Sequence, residues 1–213
     1  MPALTTVGLI LKRKDFGEAD RVLTVLTDRF GKISVIAKGV RRITSRRAGN
    51  IEVLNRVKLH LYKHKNYTLT EAESLETFAK LKENLILSTT AFHIIELVDR
   101  LTAEEQKNPL VYDLTLQILR VLEKNPRQIF VRGFEVKFLS LLGFWSINAV
   151  KDLSSETKNL LEKLEYDSWA QIEKLEINKE QAMALEKILR YYIERILESN
   201  LKSVRVLREL KNG

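Results

Sequence analysis

Arg21-Val22-Leu23-Thr24-Val25-Leu26-Thr27-Asp28-Arg29-Phe30-Gly31-Lys32-Ile33-Ser34-Val35-Ile36-Ala37 reads as two strands on a short turn. Residues 21–27 are apolar and β-branched, residues 31–37 alternate, and Arg29-Phe30-Gly31-Lys32 is hairpin-sized. Working outward, Thr6 to Lys12 supplies a strand before them, across the polar connection Asp15-Phe16-Gly17-Glu18-Ala19-Asp20. Downstream, a strand over 53–62 puts Val57, Leu59 and Leu61 on one face and Lys58, His60 and Tyr62 on the other. The turn Lys63-His64-Lys65-Asn66 leads to a fifth strand over Tyr67–Ala72. Five strands this close together leave no room for helical crossovers, so the sheet is antiparallel. A five-stranded antiparallel unit with a basic loop fits an OB-type barrel, and periodicity alone fits an SH3-like barrel equally well.

From Ser74 the apolar period changes to that of helices. The spacing predicts helices over 75–88, 90–102, 109–123, 127–142, 169–175, 179–198 and 203–210. Pro109 and Pro126 suit first turns, and Ser168-Trp169-Ala170-Gln171 and Asn178-Lys179-Glu180-Gln181 have capping-box form. The expected class is α+β, with an OB-type nucleic-acid-binding domain over 1–79 and an all-α domain over 80–213.

Charge divides along the same line. Residues 1–79 carry 15 Lys and Arg against 8 Asp and Glu, so nearly all of the +8 net charge lies there. From Arg29 to Ile51 there are seven cations and no acid. The densest part, Lys38-Gly39-Val40-Arg41-Arg42-Ile43-Thr44-Ser45-Arg46-Arg47-Ala48-Gly49-Asn50, reads as a mobile cluster of charge held out on a rigid support. Such a cluster releases counterions when it grips a phosphate backbone, giving salt-sensitive binding of low sequence preference. An acidic membrane face would attract it as well. The candidate DNA contacts are Lys38, Arg41, Arg42, Arg46 and Arg47 on this segment, with Arg29, Lys32, Lys63, Lys65 and Tyr67 around it. Phe16, Phe30, Tyr62 and Tyr67 are the aromatics of this domain, and Tyr62 and Tyr67, beside the Lys-His-Lys turn, are the better stacking candidates.

Catalytic signals are thin. The chain has no cysteine, hence no disulfide, thiol nucleophile or cysteine-held zinc, which suits a reducing cytosol. It has no Walker-type loop and no G-x-S-x-G elbow. His60 and His64 lack a third ligand nearby, and no cofactor or metal is expected. Asp15, Glu18 and Asp20 crowd one connection, which leaves a magnesium-dependent nuclease as an alternative; the plainer reading is a polar turn with Glu18 or Asp20 pairing local cations such as Arg21. The longest uncharged span, Phe138 to Val150, is 13 residues, short of a membrane helix, and the N-terminus lacks the order of a secretory signal. In the helical half Phe130, Phe134, Phe138, Leu142 and Trp145 recur at helical spacing as core, while a partner groove flanked by Arg132 and Lys137 is the sharper reading.

Gly8-Leu9-Ile10-Leu11, Phe16-Gly17-Glu18-Ala19-Asp20-Arg21, Gly31-Lys32 and Ala37-Lys38-Gly39-Val40-Arg41-Arg42 resemble, in order and spacing, the bacterial recombination mediator family RecO. Arg132-Gly133-Phe134-Glu135, Leu142-Gly143-Phe144 and Leu201-Lys202-Ser203 are similar to that family's helical landmarks. The resemblance implies an OB-fold followed by a helical domain, without enzymatic activity. It also implies binding of single- and double-stranded DNA, strand annealing and the loading of RecA on DNA coated with single-strand-binding protein. The implied partners are RecR and the acidic C-terminal tail of single-strand-binding protein, in the bacterial cytoplasm at the nucleoid. Lys38, Arg41 and Arg42 are then DNA contacts and Arg132 a tail contact. Two features depart from the family. The four-cysteine zinc module of many relatives is absent, and Lys202-Ser203-Val204-Arg205 stands where the family often has Lys-Ser-Arg. An RNA-binding OB protein stays open beside this reading.

Overall fold

A computed structural model describes residues 3–43, 45, 47–150 and 153–197. It divides into two compact units, one formed by Met1–Lys82 with Ile95–Asp113 and the other by Glu83–Ile94 with the chain from Leu114 onward. Strands β1 (Ala3–Phe16), β2 (Asp20–Thr27), β3 (Gly31–Ala37), β4 (Arg56–Lys63) and β5 (Tyr67–Glu76) close a barrel in the order β1-β2-β3-β5-β4. All neighbours are antiparallel except β3 and β5, which run parallel through Val35↔Tyr67 and Ile36↔Thr68. This Greek-key closure is that of an OB barrel.

Closure depends on β1. Its first half pairs with β4 and its second with β2, and Gly8 sits in both ladders, opposite Val57 and Thr27. A Cβ there would stand 2.5 Å from Val25 Cγ1 and 3.0 Å from Leu26 O, so only glycine lets the strands converge. A register shift between Ile10 and Lys12 then turns β1 toward the hairpin. Alternation puts Leu23, Val25, Ile33, Val35, Val57, Leu59, Leu61 and Leu69 in one core. Residues 99–112 belong to the same unit. Gly31, with φ of 69°, lies where a Cβ would be 2.1 Å from Gln106 O. Arg56 Nε donates to Tyr112 Oη at 3.3 Å.

The expected helix over 75–88 does not form as one piece. β5 continues to Glu76, Phe78 takes a positive φ of 47°, and α1 spans only Ala79–Glu83. Asn84 then caps α2 (Leu85–Leu101), its Oδ1 accepting from Ile86 N at 2.9 Å. Helices α3 (Pro109–Lys124) and α4 (Gln128–Leu141) match their predicted spans to within a residue. Helix α5 (Ser155–Tyr166), capped by Ser154, has no counterpart among the expected helices. Both capping boxes form, at Ser168 before α6 (Trp169–Glu173) and at Asn178 before α7 (Lys179–Leu197). The expected helix over 203–210 and the Lys202–Arg205 element lie outside the described residues.

In the second unit α4 is the central helix. Phe130, Phe134, Phe138 and Trp145 are buried as expected, and Phe134 and Phe138 stack at 5.3 Å. Leu142 is half-buried. Gly133 admits α6, with its added Cβ only 3.2 Å from Ile172 Cδ1.

Candidate nucleic-acid interface

The basic segment joins β3 to β4 and is anchored rather than freely projecting, which corrects the expectation of a mobile cluster. Val40, Ile51 and Leu54 are fully buried. Arg47 Nη2 donates to Lys38 O at 2.9 Å, and its Nη1 to Leu69 O at 3.3 Å and Thr70 O at 3.2 Å. Asn50 Nδ2 donates to Ala72 O at 2.8 Å, and Asn55 Nδ2 to Asn50 O at 3.0 Å. Arg47 thus staples the segment to β5; its fork spans three carbonyls, a geometry lysine cannot supply.

The other anchor is the β1–β2 hairpin. Its ladder runs out to Phe16↔Asp20, so β1 continues past the expected end at Lys12, and Asp15 and Phe16 are strand, not connection. Asp20 Oδ1 accepts from Gly39 N at 2.7 Å, and Ala19 O from Arg41 N at 2.9 Å. Asp15 stands between two guanidinium groups, Arg21 Nε at 3.0 Å and Arg41 Nε at 3.3 Å. The hydrogen bond from Arg21, with the charge of Arg41, holds its carboxyl below the usual carboxylate range. Glu18 is exposed, and among the described residues no group of three or more His, Cys, Asp or Glu is placed to hold a metal ion. The acid that pairs with Arg21 is Asp15, within the β1–β2 ladder, whereas the polar-turn reading expected Glu18 or Asp20.

Lys38, Arg42, Arg29 and Lys65 are exposed with no ionic partner among the described residues, and so are Lys12 and Lys14, which the sequence reading passed over. The signal for them was the unbroken Lys12-Arg13-Lys14 run. Arg41 is exposed but shared with Asp15, and Arg46 lies outside the described residues. Lys63 Nζ donates to Tyr67 Oη at 3.0 Å and to Glu105 at 2.9 Å, contacts that raise its pKa.

Two candidates need correcting. Lys32 is 7% exposed, with Nζ on the backbone oxygen of Asp99 and 3.5 Å from its carboxylate, so its charge is neutralised inside the unit. Tyr67 is 6% exposed and packs against Phe30 at 6.3 Å, so its ring offers no face to a base. Tyr62 is half-buried on β4, and His60 Nδ1 lies 3.2 Å from Thr5 Oγ1.

In the helical unit Arg132 and Lys137 are half-buried and engaged in contacts within the unit. Arg132 Nη1 and His93 Nε2 each meet the buried Glu135 carboxylate at 2.6 Å. Burial pushes the Glu135 pKa up, but the Arg132 charge and the His93 hydrogen bond outweigh it and hold the group below its ordinary value. Lys137 Nζ donates to Glu165 O at 2.8 Å and Asp167 O at 2.7 Å, closing the C-terminus of α5, and burial lowers its pKa.

The barrel is closed and carries exposed cations on the β1–β2 hairpin and the β3–β4 connection. The model "Recombination protein O N terminal" matches residues 1–78, and "Recombination protein O C terminal" matches 82–145 and 148–205. The chain belongs to the RecO family. DNA repair protein RecO of Listeria monocytogenes serotype 4a is 31% identical over 140 residues, 65% of this chain and 55% of the relative. DNA repair protein RecO of Pelotomaculum thermopropionicum is 33% identical over 138 residues, 64% and 54% respectively. That of a Roseiflexus species is 36% identical over 141 residues, 65% and 50%. This RecO chain thus spans about half the length of the curated relatives it matches. Among its described residues no helix is long and apolar enough to cross a membrane.

Proposed function

We propose that this RecO chain binds single- and double-stranded DNA through its barrel, promotes annealing of complementary strands, and helps load RecA on DNA coated with single-strand-binding protein, without catalysing a reaction itself. RecR and the acidic C-terminal tail of single-strand-binding protein are the proposed protein partners, and the bacterial nucleoid the proposed place. The observation that carries the reading is the set of exposed cations Lys12, Lys14, Lys38, Arg41 and Arg42 on the β1–β2 hairpin and the β3–β4 connection, which are tied to each other. Cations that neutralise two strands at once lower their mutual repulsion, which is what annealing requires. Arg132 and Lys137, held in internal contacts, take no part in this reading.

Lys38→Glu with Arg42→Glu tests it. Fluorescence anisotropy with a labelled oligonucleotide should show weaker binding whatever the sequence. The slope of log affinity against log salt should fall by about 0.7 for each phosphate that the variant no longer neutralises on a single strand. Unchanged affinity at low salt would reject the reading.

A further inference from the structure

Phe16 is 59% exposed at the outer end of β1, opposite Asp20 in the last rung of the hairpin. An aromatic ring left in water gains nothing from burial, yet the backbone around this one is unusually well fixed. Gly17 takes φ of 57° and its carbonyl accepts from Arg41 Nη1 at 3.2 Å. Ala19 O accepts from Arg41 N at 2.9 Å, Asp20 Oδ1 from Gly39 N at 2.7 Å, and Asp15 meets Arg41 Nε at 3.3 Å. Asp15, Gly17, Ala19 and Asp20 are therefore each bonded to Gly39 or Arg41. The chain on either side of Phe16 is thereby tied to the basic segment, whose exposed cations are Lys38, Arg41 and Arg42.

We propose that Phe16 stacks an unpaired nucleobase while Lys38, Arg41 and Arg42 hold the adjoining phosphates, so that the barrel distinguishes single strands from duplex. This rests on the nucleic-acid reading of the barrel and adds the part of binding that salt does not screen. A base presents its π-face to Phe16 only when unstacked from its neighbours, and a duplex keeps those faces inside. Charge alone grips both forms; an exposed, pre-positioned ring favours one. Ile43, fully exposed on the same segment, is apolar but has no π-face, and serves as the internal control.

The test measures binding of the full chain to a fluorescein-labelled oligo(dT) and to a labelled duplex across a salt series. Phe16→Ala should weaken oligo(dT) binding about 5- to 150-fold, with the salt slope and duplex affinity unchanged. Phe16→Trp should restore oligo(dT) binding, with indole emission quenched on addition of dT relative to the parent protein, and Ile43→Ala should bind like the parent. Equal losses on both nucleic acids, or no loss on oligo(dT) while salt-sensitive binding persists, would overturn the stacking site and leave the electrostatic reading standing. Absence of binding to either nucleic acid by the parent protein would overturn both.

Discussion

Arg41 and Asp15 form an ion pair, Nε to Oδ2 at 3.3 Å, that joins the β3–β4 connection to the far end of the β1–β2 hairpin. Arg21 holds the other carboxylate oxygen at 3.0 Å. One acid thus orders two guanidinium groups on a surface otherwise dominated by cations, and in doing so withholds part of their charge from any polyanion.

Asp15→Asn should raise affinity for DNA at low salt, since a negative charge leaves the surface and Arg41 loses its counter-charge. The gain should shrink as ionic strength rises, because exposed charges are screened within about 10 Å at 0.1 M salt. Thermal unfolding should barely move, as expected for an exposed pair. Because the carboxyl pKa is depressed in the folded state, the small stability the pair contributes is present above the unfolded Asp pKa. It is lost as pH falls through the lower folded value. A pH titration of unfolding for the parent and Asp15→Asn proteins checks the difference.

Arg47→Lys keeps the charge and removes the fork. Its three carbonyl contacts, on Lys38, Leu69 and Thr70, cannot all be remade by an ammonium on a flexible stem. The expected cost is about 1.5–3 kcal/mol, the range for hydrogen bonds to charged groups. Hydrogen exchange should quicken over residues 38–50 and stay unchanged in the β1–β2 ladder. DNA binding should weaken although the number of cations is the same.

Glu135→Ala should destabilise the helical unit by about 3–5 kcal/mol in urea unfolding, because the buried His93 and the half-buried Arg132 would be left without the carboxylate between them. In the parent protein the folded-state Glu135 pKa is depressed, so its contribution is complete above the unfolded Glu pKa and disappears as pH drops through the folded one. Stability should therefore decline on the acid side, and Glu135→Ala should flatten that decline.

The strands were legible because a barrel with one buried face imposes period two, as in Val57, Leu59 and Leu61. What hid the outer part of β1 was its chemistry. The expected strand stopped at Lys12 and the connection began at Asp15, because a hairpin arm with both faces in solvent has no apolar face to announce it. Helix α5 escaped for a related reason: only Leu161 and Leu164 are buried in a run of charges, although Ser154 offered its cap. The site was half legible. Composition located the basic segment, but whether a given cation is free depends on what reaches it from far along the chain. Lys32 meets Asp99 across 67 positions, and Arg132 meets an acid three residues away that sequence alone does not show to be buried.

The barrel closes between β3 and β5 through Val35↔Tyr67 and Ile36↔Thr68 alone, whereas the antiparallel neighbours share long ladders. That makes the junction the place where the cylinder yields first. A thermal fluctuation parting those rungs would unzip few backbone bonds, yet it would splay the very edges to which Arg47 and Asn50 tether the cationic segment. Shape of the gripping surface and integrity of the cylinder are therefore governed by a single latch.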